Sequence, residues 1–578
     1  MINHESNVIE YTYTDQHAVP YDVSEPLNPD YAINQLLAQF TGGIDPVAYS
    51  LAFTDWFIHL LLSLGKQQAL LDLSLTNAST LNKNLEKAAD DNRLSGPEWQ
   101  TWPYAVYRQN YLAMRQWWQL ATRDVQGVEK HHTDMVNFSV RQWLEALSPA
   151  NYMTTNPQVI HKTLESAGAN LVKGVDNFIE DIQQQYFREP ELQRQETYRV
   201  GENIAVTPGQ VVFKNNLLEL IQYSPDTEEV CAEPVLVVPA WIMKYYILDL
   251  SEHNSLIRYL VQQGHTVFMI SWKNPQHEDH NVSLIDYLKQ GLGEAIEAVQ
   301  QRVPGEQING VGYCLGGTLL TMAAAWLARE KRNPFCALTL LAAQTDFSDA
   351  GDLRLFIDES QLSMLEAVMA KNGFLPKESM AGTFTLLRAN YLLWSRWVKE
   401  YLLGERQHPN DLLTWNKDAT RMPARMHAEY LRQCYLHNSL ASGQFMVDNR
   451  PIALADIQVP LFVVGTAKDH VAPWQSVYKI NLLIDKDITF LLTNGGHNAG
   501  IISEPGHAHR VYQMATRKED GAYLPPQAWL DEVPLQEGSW WPAWQQWLAS
   551  QSSRKVSARP VEAIKTLPAA PGDYVLAQ

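Results

Sequence analysis

The sequence predicts an α/β fold: a mostly parallel sheet flanked by helices, preceded by a mainly helical domain and interrupted by an inserted helical cap. Three observations carry this. Short runs that are apolar at almost every position alternate with helical text: "PVLVVP" (234–239), "TVFMIS" (266–271), "INGVGY" (308–313), "ALTLLAA" (337–343), "PLFVVGT" (460–466) and "ITFLLT" (488–493). That is the texture of strands buried on both faces and joined by crossover helices. Ahead of them, residues 31–200 repeat apolar residues at spacings of three and four, as in "VYRQNYLAMRQWWQLATRDV", the period of helices with one buried face. Between about 345 and 450 the alternation lapses into helical text rich in aromatics, and an insertion this long between two strands reads as a cap over a site.

The remaining elements follow in order. Residues 1–30 are polar and interrupted by prolines, which reads as a flexible arm. The stretch "MINHESNVIEYTYTDQ" lacks the basic and apolar regions of a signal peptide. The apolar run 48–65 is broken by Asp55 and His59, so a transmembrane segment is not expected. Residues 201–550 carry the sheet and the cap, and the Pro- and Ala-rich residues 551–578 read as an extended tail. With 578 residues, the chain is long enough for two cores. The formal charge, 45 − 64 = −19, argues against nucleic acid or an anionic membrane as a partner. Four cysteines without a CxxC pair predict a reducing, cytoplasmic setting.

One cysteine stands apart. In "NGVGYCLGGTLLTMAAAW" (309–326), Cys314 lies between an apolar strand and an apolar helix, with Gly312 two residues before it and Gly316 two after. A nucleophile on such a turn is exposed by a sharp backbone reversal that only small neighbours permit. The G-x-C-x-G pattern is therefore the nucleophile elbow of an α/β-hydrolase fold, with sulfur in place of oxygen. The following helix points its positive end at the sulfur, which favours the thiolate. The competing reading of Cys314 is an ordinary buried thiol.

In this fold the acid and then the histidine follow the nucleophile along the chain. "PLFVVGT" runs into "AKDHVAPW", which puts Asp469 at the carboxyl end of a strand; "ITFLLT" runs into "NGGHNAG", which puts His497 at the end of the next. Sheets of this kind gather their sites at those ends. Taken singly, Asp469 could cap the helix after it and His497 could be a loop histidine; their joint order favours catalysis. His497 would take the proton of Cys314 and a carboxylate would hold the imidazole. The oxyanion would meet the backbone N–H of Leu315 and a second N–H from the loop "PAWIMK", at Ala240 or Trp241. No metal site is expected.

With these residues in place, the chain resembles the polyhydroxyalkanoate synthases, specifically the class I, single-subunit kind. The likeness rests on "GYCLGG", "LIQYSP", "KYYILDL", "NSLIRYLVQQGHTVFMISWKNP", "LLTWNKDAT", "KDHVAPW", "GGHNAG" and "GSWWP", and covers most of residues 140–545. It implies polymerisation of (R)-3-hydroxyacyl-CoA into polyester with release of CoA and with no cofactor, CoA being part of the substrate. Cys314 would carry the chain as a thioester and His497 would deprotonate it. Asp469 would act on the 3-hydroxyl directly or by orienting His497. The resemblance further implies a homodimer working at a polymer granule, Arg388 in "FTLLRAN" near the CoA entrance, and Trp415 tied to activity or dimer contact. One departure is "WIMKYY" where many members read "WINKYY", so Met243 replaces an amide. Two rivals remain: a cysteine-nucleophile thioesterase or hydrolase of the same fold, and a granule-binding protein whose 18 tryptophans serve adhesion.

Overall fold

A computed structural model describes residues 33–34, 45–79, 91–186, 197–377, 379, 393–562 and 564–577. The expected arm at 1–30 and Arg388 lie outside the described residues.

The amino-terminal part is helical: α1 (Pro46–Leu62), α2 (Leu64–Ser79), α3 (Tyr104–Thr122), α4 (Lys130–Ala146), α5 (Pro157–Glu165) and α6 (Ala169–Tyr186). Local signals start these helices where the chain places them. The Asp45 carboxylate accepts from the N–H groups of Val47 (3.1 Å) and Ala48 (3.2 Å) ahead of Pro46, and Asn156 does the same for Gln158 and Val159 ahead of Pro157. The helices enclose a small core around Trp56, Phe138 and Val136. They also enclose a buried ionic cluster in which Arg93 donates to Asp91, Glu145 (2.5 Å) and Asn151 Oδ1 (2.8 Å). Among the described residues no single helix is long and apolar enough to cross a membrane; α1 with 64–78 passes such a test only as a pair bent by 85°.

The main core is a ten-stranded sheet. Its strands are β1 (Gly209–Lys214), β2 (Leu218–Tyr223), β4 (Val235–Val238), β5 (Val267–Trp272), β6 (Ile308–Tyr313), β7 (Phe335–Leu341), β8 (Leu461–Thr466), β9 (Ile488–Thr493), β10 (Val511–Arg517) and β11 (Leu535–Glu537). The short β3 (Glu229–Cys231) pairs instead with β12 (Lys555–Ser557). The order across the sheet is β1-β2-β5-β4-β6-β7-β8-β9-β10-β11. The six strands from β5 to β9 are parallel, and the outer pairs are antiparallel. Strands β4, β5, β6, β8 and β9 are buried at every position, as their largely apolar runs require, and so is β2, which carries Glu219 and Gln222 inward. This is the α/β-hydrolase architecture the sequence predicts, with helices on the sheet and a helical region ahead of it.

Between β7 and β8 the chain leaves the sheet and forms α10 (Glu359–Asn372), α11 (Asp411–Lys417) and α12 (Ala424–Tyr430), the last two separated by a strand of two residues; the sheet's own helices α7 (Leu256–Gln262), α8 (Glu294–Arg302) and α9 (Leu315–Arg329) precede it. The amino-terminal helices dock on this insertion. Asn170 and Asn177 donate side-chain N–H to the Leu402 and Glu400 carbonyls (2.7 and 2.8 Å). Asp181 receives Arg396 (2.7 Å), Arg406 (2.5 Å) and the Tyr401 hydroxyl (2.5 Å). The tail returns to the sheet: Val211 N–H donates to Pro568 O (3.0 Å) and Ala570 N–H to Gly209 O (3.0 Å), while the buried Lys244 ammonium donates to the carbonyls of Val575 and Ala577.

Two core histidines make the fold sensitive to acid. His265 and His427 are 1% and 4% exposed. Burial, aided at His265 by the Lys555 charge, pushes each down to about 4 from 6.5. The unfolded chain therefore binds more protons than the folded one between those values, so stability is full above pH 6.5 and falls as pH drops toward 4, by about 3 kcal/mol per histidine. Urea unfolding from pH 7 to 4.5 should show a falling midpoint, and His427→Leu should flatten the slope; an unchanged slope refutes the assignment.

Candidate active site

The elbow is built as the glycines require. Cys314, the residue between β6 and α9, sits at φ +52°, ψ −126°, a region L-residues rarely occupy and one that costs on the order of 1–3 kcal/mol. Its N–H is tied to Leu341 O on β7 (2.9 Å), and α9 starts at the next residue. A Cβ on Gly312 would lie 2.3 Å from Gly317 Cα, one on Gly316 only 2.0 Å from Val238 O, and one on Gly317 2.4 Å from Ala343 Cβ. The third glycine, Gly317, was not singled out by the sequence pattern, yet it is the surface against which Gly312 packs.

Asp469 and His497 are brought together by two backbone ties between the loops after β8 and β9: Ala467 N–H to Thr493 O (2.9 Å) and Lys468 N–H to Gly495 O (2.8 Å). The Asp469 carboxylate is fully used. Oδ1 accepts from the N–H groups of Val471 and Ala472 (2.9 Å each), and Oδ2 accepts from Thr466 Oγ1 (2.8 Å) and His497 Nδ1 (2.7 Å). Burial pushes its carboxyl up, but the His497 charge and these hydrogen bonds outweigh it and hold it below the usual range. For His497, whose side chain is 10% exposed, burial works against the charged form. The Asp469 carboxylate and Cys314 outweigh that and raise it well above the ordinary value. With Nδ1 committed to Asp469, Nε2 is the ring nitrogen left for Cys314, whose charge adds to that of Asp469 in favouring the imidazolium. The order nucleophile, acid, histidine thus ends in one connected group at the carboxyl edge of the sheet.

Three family models match. Two are described as "Poly-beta-hydroxybutyrate polymerase (PhaC) N-terminus", over residues 90–260, and "Poly-beta-hydroxybutyrate polymerase N terminal", over 27–66; the third is the alpha/beta hydrolase fold, over 233–503. The poly(3-hydroxyalkanoate) polymerase subunit PhaC of Rhizobium meliloti is 38% identical over 85% of this chain and 80% of its own length. That of Cupriavidus necator is 37% identical over 84% and 83%, and the poly(3-hydroxyalkanoate) polymerase 2 of Ectopseudomonas oleovorans 35% over 90% and 91%. The chain belongs to the poly(3-hydroxyalkanoate) polymerase family. It is an acyltransferase-type enzyme of that family on the α/β-hydrolase fold.

The other expected residues of this polymerase are distributed as follows. Leu315 is the first residue of α9, so its N–H has no partner within the helix. Ala240 and Trp241 are buried in the loop after β4, the strand beside β6. Trp241 O there accepts from Thr420 Oγ1 (2.6 Å), which ties this loop to the segment after α11. Trp415 is 3% exposed and its indole N–H donates to Lys244 O (2.7 Å). It links α11 to the loop after β4. Met243 pairs with Ala419 in an isolated bridge beside it. Residues not anticipated include Asn498, which accepts from the Tyr313 hydroxyl (2.7 Å) and donates to Asn416 of α11 (3.3 Å). It links elbow, histidine loop and cap. Its only sequence signal was its place beside His497. Among the described residues no group of three or more His, Cys, Asp or Glu is placed to hold a metal ion.

Proposed function

We propose that the chain polymerises (R)-3-hydroxyacyl-CoA into polyester with release of CoA through an acyl-Cys314 intermediate, needing no cofactor. The observation that carries this reading is the Cys314–His497–Asp469 group at a strained elbow, in a member of a polymerase family. His497 takes the thiol proton, and the thiolate attacks the thioester carbonyl. The oxyanion is received by the N–H of Leu315 and one from Ala240 or Trp241. The carbon–sulfur bond to CoA breaks, and CoA leaves with the proton held by His497. The 3-hydroxyl of a further unit then gives its proton to His497 and attacks the acyl-cysteine, forming an ester and freeing the thiolate. Exchange of one thioester for another is nearly thermoneutral, so the enzyme-bound acyl group stays activated for that attack. Asp469, hydrogen-bonded to the imidazole, acts through His497 in this scheme. The test is incubation of the full chain with (R)-3-hydroxybutyryl-CoA, with measurement of released thiol and weighing of polymer; soluble hydroxy acid as the only product overturns the reading.

We also propose work at the polymer granule in the cytoplasm, as a homodimer. Support for the granule contact comes from α1 and α2, which leave Leu51, Phe57, Leu61, Leu62 and Leu64 more than half exposed. Leu62→Glu with Leu64→Glu should shift the full chain from polyester beads to the supernatant at unchanged CoA release, and retention on the beads counts against the contact. Sedimentation with a substrate analogue tests the dimer, and a strict monomer under turnover refutes it.

A further inference from the structure

The loop that carries His497 has an unusual supply of hydrogen-bond donors. After β9 the chain makes a helical turn, with Gly500 N–H bonding Gly496 O (2.8 Å) and the N–H groups of Ile501 and Ile502 bonding Asn498 O (3.1 Å each). A turn of this kind leaves its last carbonyls without partners along the chain, and these residues are largely buried: Ile501, Ile502 and Ser503 are 0%, 5% and 0% exposed. A buried carbonyl left unpaired costs as much as a lost hydrogen bond. Here each of five consecutive carbonyls has a side-chain donor. Ala499 O and Ile502 O (2.9 Å) accept from Arg510 Nη2, Gly500 O accepts from Trp540 Nε1 (3.0 Å), Ile501 O from Trp541 Nε1 (3.0 Å), and Ser503 O from the Ser539 hydroxyl.

The donors form a unit. Ser539 Oγ also accepts the Trp541 N–H (3.1 Å), and Gly538 N–H donates to Arg510 O (2.7 Å), joining the strand start at Arg510 to the segment 538–541. Trp540 and Trp541 are 0% and 1% exposed and begin the helix α13 (Trp541–Ser550). On the opposite side the loop has no room to move: a Cβ on Gly500 would lie 2.5 Å from Thr466 Cγ2, and Thr466 itself bonds Asp469. The loop is thus pressed between the Asp469 strand end and a row of donors contributed from downstream.

We propose that Arg510, Ser539, Trp540 and Trp541 are positioning residues for the polymerase reaction, holding the main chain of 499–503 so that His497 stays within reach of Cys314. This rests on the catalytic reading above, so the test uses a readout that does not require polymer. In the full chain, Trp540 and Trp541 are replaced by benzothienylalanine, which keeps ring size and removes only the N–H. The rate of iodoacetamide alkylation at Cys314, followed by peptide mass, is then measured from pH 5 to 9. The control is the same replacement at Trp544, whose ring packs against Trp540 but whose indole donates to Thr339 Oγ1 (3.0 Å) on β7 and not to the histidine loop. At pH 7 the alkylation rate is expected to fall on the order of tenfold, the effect of one or two lost buried hydrogen bonds, and its pH profile to move, while the control stays at the parent rate. CoA release should lose kcat with KM unchanged. An equal loss in the control, or an unchanged alkylation profile in the 540/541 variant, overturns the proposal. Should that variant fail to fold, Arg510→Gln and Arg510→Lys decide: slower alkylation with partial rescue by lysine supports the donor role, and parent rates in both refute it. If alkylation responds as stated but no polyester forms, the polymerase reading fails and the positioning role stands.

Discussion

Cys314→Ala is expected to abolish CoA release from (R)-3-hydroxybutyryl-CoA, by at least about 10⁴-fold, the scale of loss when a nucleophile working as part of a unit is removed. A methyl group can neither attack the thioester nor carry an acyl chain. The fold should survive, because the thiol is a small side chain, 7% exposed, and alanine meets the same φ penalty that cysteine already bears. The measurement is thiol release together with thermal unfolding of the same preparation. Loss of activity with an unchanged melting temperature is the expected pair of results. Polymer formation at more than one per cent of the parent rate would remove Cys314 from the mechanism.

Gly316→Ala should have the largest effect on folding. The added Cβ would stand 2.0 Å from Val238 O and 2.7 Å from the Pro239 carbonyl carbon, both main-chain atoms at the end of a central strand. No rotamer can relieve that contact, so α9 and β4 must part, at a cost of more than about 4 kcal/mol, the range reached by overpacked cores and broken backbone geometry. Gly65→Ala is the matched control: it lies in α2, and nothing is within 4 Å of its added Cβ, so helix propensity alone should stabilise it by about 0.5–1 kcal/mol. Denaturation midpoints of the two variants decide the matter, and a soluble, active Gly316→Ala would mean that strand and helix are not held this close.

Much of this site was legible because its parts are local. An elbow is written in five adjacent residues, and a strand end followed by Asp469 or His497 is written in ten; chain order then joins them. What could not be read is what depends on residues far apart in the chain meeting without a repeating pattern. Gly317 looks like one more helix residue until Gly312 is laid against it. The family resemblance ties Trp415 to activity or dimer contact, and nothing in its motif reveals that its indole donates to Lys244 O. The tail's Pro and Ala content suggested an extended run and gave no hint that Lys244 would bind the carbonyls of Val575 and Ala577. Likewise "GSWWP" marked the family without revealing that both indoles face the histidine loop.

The order in which the catalytic group is laid down along the chain has a consequence for biosynthesis. Cys314 leaves the ribosome 497 − 314 = 183 residues before its base, roughly ten to forty seconds at about 5–20 residues per second. On the proposed mechanism, the nascent polypeptide carries for that interval a sulfur without its base. Translation acts, on that mechanism, as a timer, and a product truncated before the loop after β9 would lack its base and release no CoA.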